Sequence, residues 1–311
     1  MLKTPMDVLE KFPVRKSKAQ KQEFRAAVKS YAEELGYTVT EEKGAFGARN
    51  LILGDPENAK FLVTAHYDTC SRMLVPNFIT PCNVPVYLLY QLGIVFGLAI
   101  AAIAIGLAAG LLLGSAAVKM VSFNAYCLLA LIMILGPANK TNANDNTSGV
   151  VTVLEIAKTL PENQRHKVCF VLFDLEEAGI IGSSSYHKKH KRASDDQLIL
   201  NLDCVGDGDH LMMFPTKKLR KDQRKMSSLY RACGYFGKKS LLLHEKGASI
   251  YPSDQKHFPY GVAICALRKY KKFFYMSRIH TPKDTILEET NVNILRSALT
   301  SLITCAANKK G

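Results

Sequence analysis

The chain lacks any cysteine framework. Its 311 residues contain eight cysteines, but no C-x-x-C pair and no tight spacing that would indicate a disulfide scaffold. Several cysteines lie in apolar, strand-like runs such as V-C-F-V-L-F and V-A-I-C-A-L, where a free thiol behaves as a small hydrophobic side chain. This usage favours a reducing compartment.

The N-terminal region lacks an apolar core. Its first thirty residues carry eight lysines and arginines, so we expect no signal peptide there. The net charge is +14, yet no nucleic-acid recognition motif accompanies it, and nucleic acid is not an expected partner. The basic runs indicate either solvated surface or attraction to an anionic membrane surface.

Residues 86–114 lack charge altogether. As a helix, these 29 residues would rise about 43 Å, more than the roughly 30 Å of a bilayer's hydrocarbon core. A second apolar run, 120–135, follows Lys119 and ends at Gly136-Pro137. We therefore predict a transmembrane hairpin over residues 85–137. Glycines at positions 106, 110 and 114 either clear one helix face for close contact or are mere membrane filler.

The remaining residues, 1–84 and 138–311, are predicted to form one α/β domain, and no internal repeat is visible. Helices are predicted over residues 18–35, 148–159, 180–191, 217–233 and 290–307. Strands are predicted over residues 51–53, 61–65, 168–173, 198–202, 211–214, 241–243 and 262–267. The strands are interleaved with helices along the chain, and within most strands apolar and polar residues do not alternate. This pattern predicts a mixed, largely parallel sheet with helices on both faces.

Metal-competent side chains end several of the apolar runs. They lie in the motifs T-A-H-Y-D-T (His66, Asp68), N-A-N-D-N-T-S-G (Asp145), F-D-L-E-E-A-G-I-I-G-S (Glu176, Glu177), N-L-D-C-V-G (Asp203) and R-I-H-T-P-K-D-T (His280). Each motif is ordinary in isolation: a surface pair, a turn or a helix cap. Together they offer two imidazoles and several carboxylates, enough for a dinuclear site with one carboxylate left to handle protons. Residues two apart on a strand share a face, so Asp68 is expected to orient His66.

The order of the motifs constrains the hairpin. His66 precedes the apolar insert and the other candidate ligands follow it, so a single crossing would separate them across the bilayer. We therefore expect two crossings, with both soluble pieces on one side. The basic N-terminal region and the short loop with only Lys119 place that side in the cytoplasm of a cell-membrane protein.

The motif order H-x-D, N-D-N-x-S-G, E-E-x-G-x-x-G-S, N-L-D-x-x-G and H-T-x-x-D-T resembles the M28 family of zinc peptidases. The resemblance covers roughly residues 16–84 and 138–308. It implies that His66, Asp145 and Asp203 bind one zinc ion, and that Asp145, Glu177 and His280 bind a second, with Mn²⁺ or Co²⁺ as possible substitutes. It also implies Glu176 as the general base, Asp68 as the residue that orients His66, and a cis peptide after Asp145.

The chain departs from the family pattern in two places. Where the family commonly has S-D-H, this chain has Ser253-Asp254-Gln255 and a displaced His257. The hairpin fills the usually short step between the first histidine and the bridging aspartate, which suggests a catalytic mouth near the bilayer. Tyr251, Phe258, Tyr260 and Tyr275 could line the pocket, although core packing is the default for each.

Three functions are therefore open. The leading interpretation is a membrane-tethered exopeptidase that hydrolyses a peptide or aminoacyl amide bond. The second is another amide hydrolase or a glutaminyl-cyclase-like enzyme; such cyclases use one zinc ion, whereas this chain keeps all five ligands. The third is a non-catalytic membrane scaffold, which would not need to retain both the ligands and Glu176.

Overall fold

The computed structural model describes residues 1–73, 75–245 and 247–305. Within them, one mixed sheet runs in the order β1-β2-β4-β3-β5-β9-β6-β8-β7, with β10 paired to β9. Its strands are β1 (Val39–Lys43), β2 (Arg49–Leu53), β3 (Phe61–His66), β4 (Val168–Phe173), β5 (Leu198–Leu202), β6 (His210–Pro215), β7 (Gly234–Phe236), β8 (Lys239–Leu243), β9 (Gly261–Tyr270) and β10 (Phe273–Tyr275).

The centre of the sheet is parallel: β4, β3, β5 and β9 run in the same direction, and the outer pairs are mostly antiparallel. Along β4, Phe170 and Leu172 enter one apolar core, whereas Cys169 and Val171 enter a second core on the opposite face. Because both faces are covered, the central strands are apolar without alternation. The predicted mixed sheet is confirmed.

Helices cover both faces of the sheet. The helices are α1 (Asp7–Lys11), α2 (Lys18–Glu34), α3 (Val84–Leu113), α4 (Ala116–Leu135), α5 (Gly149–Thr159), α6 (Ile181–Lys189), α7 (Lys191–Ser194), α8 (Gln223–Ala232) and α9 (Glu289–Cys305). Phe24 of α2, Leu154 of α5, Leu229 of α8 and Leu295 of α9 share the larger core. Tyr186 of α6 lies in the core on the opposite face.

Some element predictions were wrong in detail. The helix predicted over 217–233 is divided, because Asp222 leaves helical geometry and its side chain accepts the Lys225 N–H at 2.9 Å to cap α8. Strands β1, β7 and β10 were missed, since they lie at sheet edges where apolar side chains are not required. The last two residues of the helix predicted over 290–307 lie outside the described residues.

Helices α3 and α4 form a hairpin whose outward surface is apolar. Leu111 is 90% exposed and Leu112 is 86% exposed. Large apolar side chains of the hairpin therefore point away from the rest of the protein. Both helices are long and apolar enough to cross a membrane. Helix α4 has 20 residues and begins before Lys119, earlier than predicted. At about 1.5 Å per residue, it reaches roughly 30 Å.

Two of the three spaced glycines lie where the hairpin helices touch. A Cβ atom on Gly106 would lie 2.0 Å from the Ser122 Oγ and 2.7 Å from the Val118 carbonyl oxygen of α4. A Cβ atom on Gly110 would lie 2.5 Å from Val118 Cγ2, whereas Gly114 has open surroundings. Of the two alternatives that the sequence left open, close helix contact therefore applies to Gly106 and Gly110.

This contact predicts a position-specific effect of side-chain volume. Gly106→Leu should force the helices apart and cost about 1–3 kcal/mol of stability, the usual result of overpacking. Gly97→Leu is the matched control, because a Cβ at Gly97 meets nothing within 4 Å. Thermal unfolding of both variants in detergent measures the difference, and equal unfolding temperatures would contradict the helix contact.

Candidate active site

The first candidate ligands lie at one edge of the sheet, where three neighbouring parallel strands end. His66 is the last residue of β3, and Asp203 directly follows β5. Glu176 and Glu177 follow β4 after two further residues. Since β4, β3 and β5 are adjacent and parallel, their carboxyl ends meet, and the side chains beyond them converge.

Asp145 lies at the centre of the converging side chains. It comes from the turn Ala143–Ser148 before α5. Its Oδ1 lies 3.3 Å from His66 Nε2, and its Oδ2 lies 3.0 Å from His280 Nε2. Asp203 Oδ1 is 3.7 Å from His66 Nε2, and Glu177 Oε2 is 3.4 Å from His280 Nε2. The structure thus brings the five predicted ligands together: His66, Asp145 and Asp203 form one group, and His280 lies between Asp145 and Glu177.

The donor set suits divalent metal ions. The ligand atoms of His66, Asp145 and Asp203 lie within 4.8 Å of one another. Imidazole nitrogens with carboxylate oxygens suit Zn²⁺ and tolerate Mn²⁺ or Co²⁺. Glu177 Oε1 is buried and has no hydrogen-bond partner among the described residues. A bound metal ion would satisfy this oxygen.

The electrostatics of the cluster favour a bound cation. Burial raises the pKa of Glu176 well above its usual value, and the charges of Glu177 and Asp203 raise it further. Burial and the charge of Asp145 likewise raise the pKa of Glu177. For His66, burial alone would lower the pKa, but Glu176 and the neighbouring aspartates raise it well above the ordinary value. So many carboxylates in one buried site need positive charge to stay ionised.

Asp68 makes a contact different from the expected one. Its carboxylate accepts the backbone N–H groups of Glu176 at 3.0 Å and Glu177 at 3.2 Å. His66 Nδ1 lies 3.1 Å from the backbone oxygen of Asp68, while the carboxylate is 3.6 Å away. The carboxylate therefore positions the glutamate pair, and the orientation of His66 comes from the Asp68 carbonyl. Strand alternation correctly predicted that Asp68 lies near His66, but not that the nearer oxygen is the Asp68 backbone carbonyl.

Asparagine side chains attach the Asp145 turn to the loop after β5. The Asn146 carboxamide oxygen accepts the N–H groups of Gly149 and Cys204, and its amide donates to the Leu202 carbonyl. The Asn144 oxygen accepts the Gly206 N–H at 2.7 Å. These bonds explain the two asparagines that flank Asp145, because they hold the Asp145 turn and the loop after β5 in one arrangement. The Asp145–Asn146 peptide is cis, as the resemblance implies.

Asp284 and Arg15 support the same turn. Asp284 accepts the backbone N–H groups of Asn144 at 2.7 Å and Asp145 at 3.0 Å. Arg15 is fully buried and donates to the Tyr67 carbonyl and the Thr147 hydroxyl. Burial lowers its pKa to about 10, so it stays charged at neutral pH. Sequence reasoning missed Arg15, since it lies in a basic run that resembles solvated surface.

A cavity of about 100 Å³ adjoins the candidate ligands. Of the four aromatic candidates, Tyr251 lines it, and the Tyr251 hydroxyl donates to the Asp203 carbonyl at 3.1 Å. Phe258 is 1% exposed and belongs to the core. Tyr87, in the first turns of α3, also lines the cavity. No local sequence pattern indicates that contact, because it joins the hairpin to residues that are distant in the chain.

The S-D-Q segment places another carboxyl beside the site. Asp254 is fully buried, both of its carboxyl oxygens lack a partner among the described residues, and burial raises its pKa to about 7. Sequence reasoning did not single it out. His257 is not among the residues that line this cavity.

Comparisons with known proteins identify similar sequences and folds. An aminopeptidase of Bacillus subtilis, YwaD, is 40% identical over 67 residues, a match that spans 21% of this chain and 15% of that protein. The glutaminyl cyclase of Porphyromonas gingivalis superposes with a TM-score of 0.61 at 14% identity, over 97% of each chain. The LapA aminopeptidase of Legionella pneumophila superposes at 0.55 with 13% identity, over 96% of this chain and 69% of that one.

At these identities the two superpositions establish the fold alone. The sequence profile of "Peptidase family M28" matches residues 131–302, more than half of the chain, and this range includes Asp145, Glu176, Glu177, Asp203 and His280. The chain belongs to peptidase family M28.

Proposed function

We propose that the protein is a membrane-tethered exopeptidase, aminopeptidase-like, that hydrolyses peptide or aminoacyl amide bonds with two zinc ions. The observation that carries this proposal is the Asp145 carboxylate, which directs one oxygen toward His66 and the other toward His280, at 3.3 and 3.0 Å. A carboxylate shared between two histidines is the arrangement expected of a bridging ligand. Mn²⁺ or Co²⁺ could replace zinc with the same donors.

Each residue of the cluster has a distinct task in this proposal. His66, Asp145 and Asp203 would hold one ion, and Asp145, Glu177 and His280 the other. When bound, the ions supply the Lewis acidity that activates water and polarises the scissile carbonyl group. Glu176 takes the proton of the attacking water and delivers it to the leaving amine, a task that suits a buried carboxyl with a raised pKa.

Two alternatives compete with the exopeptidase. The fold is shared with a glutaminyl cyclase, so a cyclase-like activity with one zinc ion is the second candidate. A non-catalytic membrane scaffold is the third. The convergence of both histidines with Asp145, Glu177 and Asp203 favours the two-ion exopeptidase, because neither alternative needs the complete set.

The metal content of detergent-purified protein tests the two-ion site. Elemental analysis should find about two zinc-like ions per chain, and His66→Ala should lower that number because it removes a ligand. His166→Ala is a control, since His166 lies in the 3-10 segment before β4, outside the ligand cluster. A metal content of one ion per chain that does not change in His66→Ala would support the cyclase-like candidate. No ion after zinc repletion would leave only the scaffold.

Replacing Glu176 separates catalysis from metal binding. Glu176→Gln should lower kcat for an aminoacyl-amide substrate by roughly 10²-fold or more, because the amide cannot accept the proton of water. The metal content should stay unchanged, since Glu176 is not assigned to either ion. Glu33→Gln, an exposed change on α2, should have no effect. Full activity in Glu176→Gln would remove the general base from the proposal.

The same proposal places α3 and α4 in the cell membrane as a double crossing. Both helices return to the ligand-bearing domain at one end of the hairpin. Asn83 caps α3 by accepting the Val86 N–H, and the Ser71 hydroxyl and Lys16 ammonium both donate to the Ile134 carbonyl near the end of α4. These contacts support a double crossing that leaves His66 and the later candidate ligands on one side. The basic N-terminal region supports the cytoplasm as that side.

The mouth of the cavity would then lie beside the bilayer surface. Tyr87 of α3 lines the cavity. One turn further along α3, the ring centroid of Tyr90 lies 5.4 Å from that of Phe78. The ring centroids of Phe78 and Tyr275 are 5.7 Å apart. Aromatic side chains are enriched where a protein meets the headgroup region. This cluster marks the level at which the hairpin would leave the membrane.

The chain has no tryptophan, so single tryptophans can report on depth. In vesicles with brominated lipids, Leu107→Trp within α3 should be strongly quenched, and Tyr87→Trp should be quenched by bromine near the headgroups. Tyr235→Trp, on edge strand β7 and 81% exposed, is the control and should stay bright. An unquenched Leu107→Trp would contradict membrane insertion, whereas an unquenched Tyr87→Trp alone would contradict a mouth at the bilayer.

A further inference from the structure

A buried thiol lies beside the second group of ligands. Cys70 follows Asp68 by two residues, is 1% exposed and is a free cysteine. Its Sγ lies within 4.8 Å of ligand atoms of both Glu177 and His280, which are themselves within that distance of each other. Three different ligand types, a thiol, a carboxylate and an imidazole, therefore converge on one point.

The chain segment around Cys70 is held against His280. The Met73 N–H donates to the His280 carbonyl at 2.9 Å, and the Met73 sulfur lies 3.2 Å from His280 Nδ1. The Nδ1 nitrogen thus faces the thioether, and Nε2 is directed to Asp145 and Glu177. The Cys70 carbonyl accepts the Asn139 N–H at 3.1 Å, which ties the segment to the chain that returns from α4.

The other contacts leave the sulfur available to a metal ion. The Cys70 thiol donates a hydrogen bond to Asn142 Oδ1 at 3.4 Å, and the sulfur lone pairs have no other side-chain partner among the described residues. Glu177 Oε1 is buried and without a partner among the described residues. A carboxylate with an unpaired buried oxygen, an imidazole and a thiol within 4.8 Å of one another supply donor types that a divalent cation binds.

We propose that Cys70 is a fourth protein ligand, as a thiolate, of the ion held by Asp145, Glu177 and His280. This inference rests on the proposed two-ion site. On binding, the Cys70 S–H bond breaks, the proton leaves to solvent and the sulfur lone pair forms the metal bond. No electron is transferred and no further reactant is needed.

The proposal makes the two halves of the site unequal. The half with His66, Asp145 and Asp203 has three protein ligands and keeps a position open to water or substrate, as catalytic zinc sites do. The half with Cys70 has four protein ligands, as closed zinc sites do. A soft thiolate also favours zinc over manganese at that half. The closed half would retain its ion more firmly and prefer zinc.

Cobalt provides the direct test, because a thiolate ligand gives cobalt(II) a charge-transfer band in the near ultraviolet that nitrogen and oxygen ligands do not give. Metal-free full-length protein in detergent would be loaded with Co²⁺, and the spectrum and cobalt content measured together. The variants are Cys70→Ser and, as matched control, Cys169→Ser, another buried free cysteine that lies within β4. X-ray absorption of the unmodified zinc protein should show a sulfur neighbour at about 2.3 Å.

The expected result is a thiolate band in the unmodified protein and in Cys169→Ser, and its loss in Cys70→Ser. The variant should also bind its second ion at least roughly tenfold more weakly. Two bound cobalt ions without the band, or a band that survives in Cys70→Ser, would overturn the thiolate ligand and leave the two-ion enzyme intact. Failure of the unmodified protein to bind cobalt would overturn both. The zinc measurement decides the question even if Cys70→Ser does not fold.

Discussion

The site depends on the position of one carboxylate, that of Asp145 between His66 and His280. The two histidines come from a strand end early in the chain and from a loop near its end, so the whole sheet must be formed before they can meet. The neighbouring hydrogen bonds maintain this position. Asp284 holds the backbone of Asp145, and Asn146 attaches the turn to the loop after β5. The two asparagines of the N-D-N motif thus hold one candidate ligand, Asp145, in position.

The arrangement is costly without a cation. Buried carboxylates raise one another's pKa values, and the pKa values of Glu176 and Glu177 both lie well above the usual value for a glutamate. Backbone strain is concentrated at the same place: Leu175, Cys204 and His280 have positive φ angles of 56°, 57° and 61°. Each such residue costs about 1–3 kcal/mol. Strain and like charge in one small volume are typical of a functional site whose ligand offsets the cost.

The hairpin is inserted between two of the candidate ligands without separating them. Ser71 pairs with Ala138 in a short antiparallel bridge, which closes the chain at the base of the hairpin. The same junction carries Cys70 to Glu177 and His280, and Tyr87 to the cavity. The insertion therefore adds side chains to the site while Asp145 stays between the two histidines.

The sequence alone determined the mixed sheet, the apolar hairpin and the metal-competent side chains, because each depends on local patterns: apolar runs, helix-length stretches without charge, and polar side chains at strand ends. The choice of five ligands among those side chains came from the family resemblance, and the glycine spacing left helix contact and membrane filler as alternatives. Only the tertiary structure decided that the Asp68 carboxylate holds the glutamates, that Arg15 is buried, and that Tyr87 and Cys70 adjoin the site. These facts join residues far apart in the chain, or depend on which atom of a side chain points where, and no local pattern encodes either.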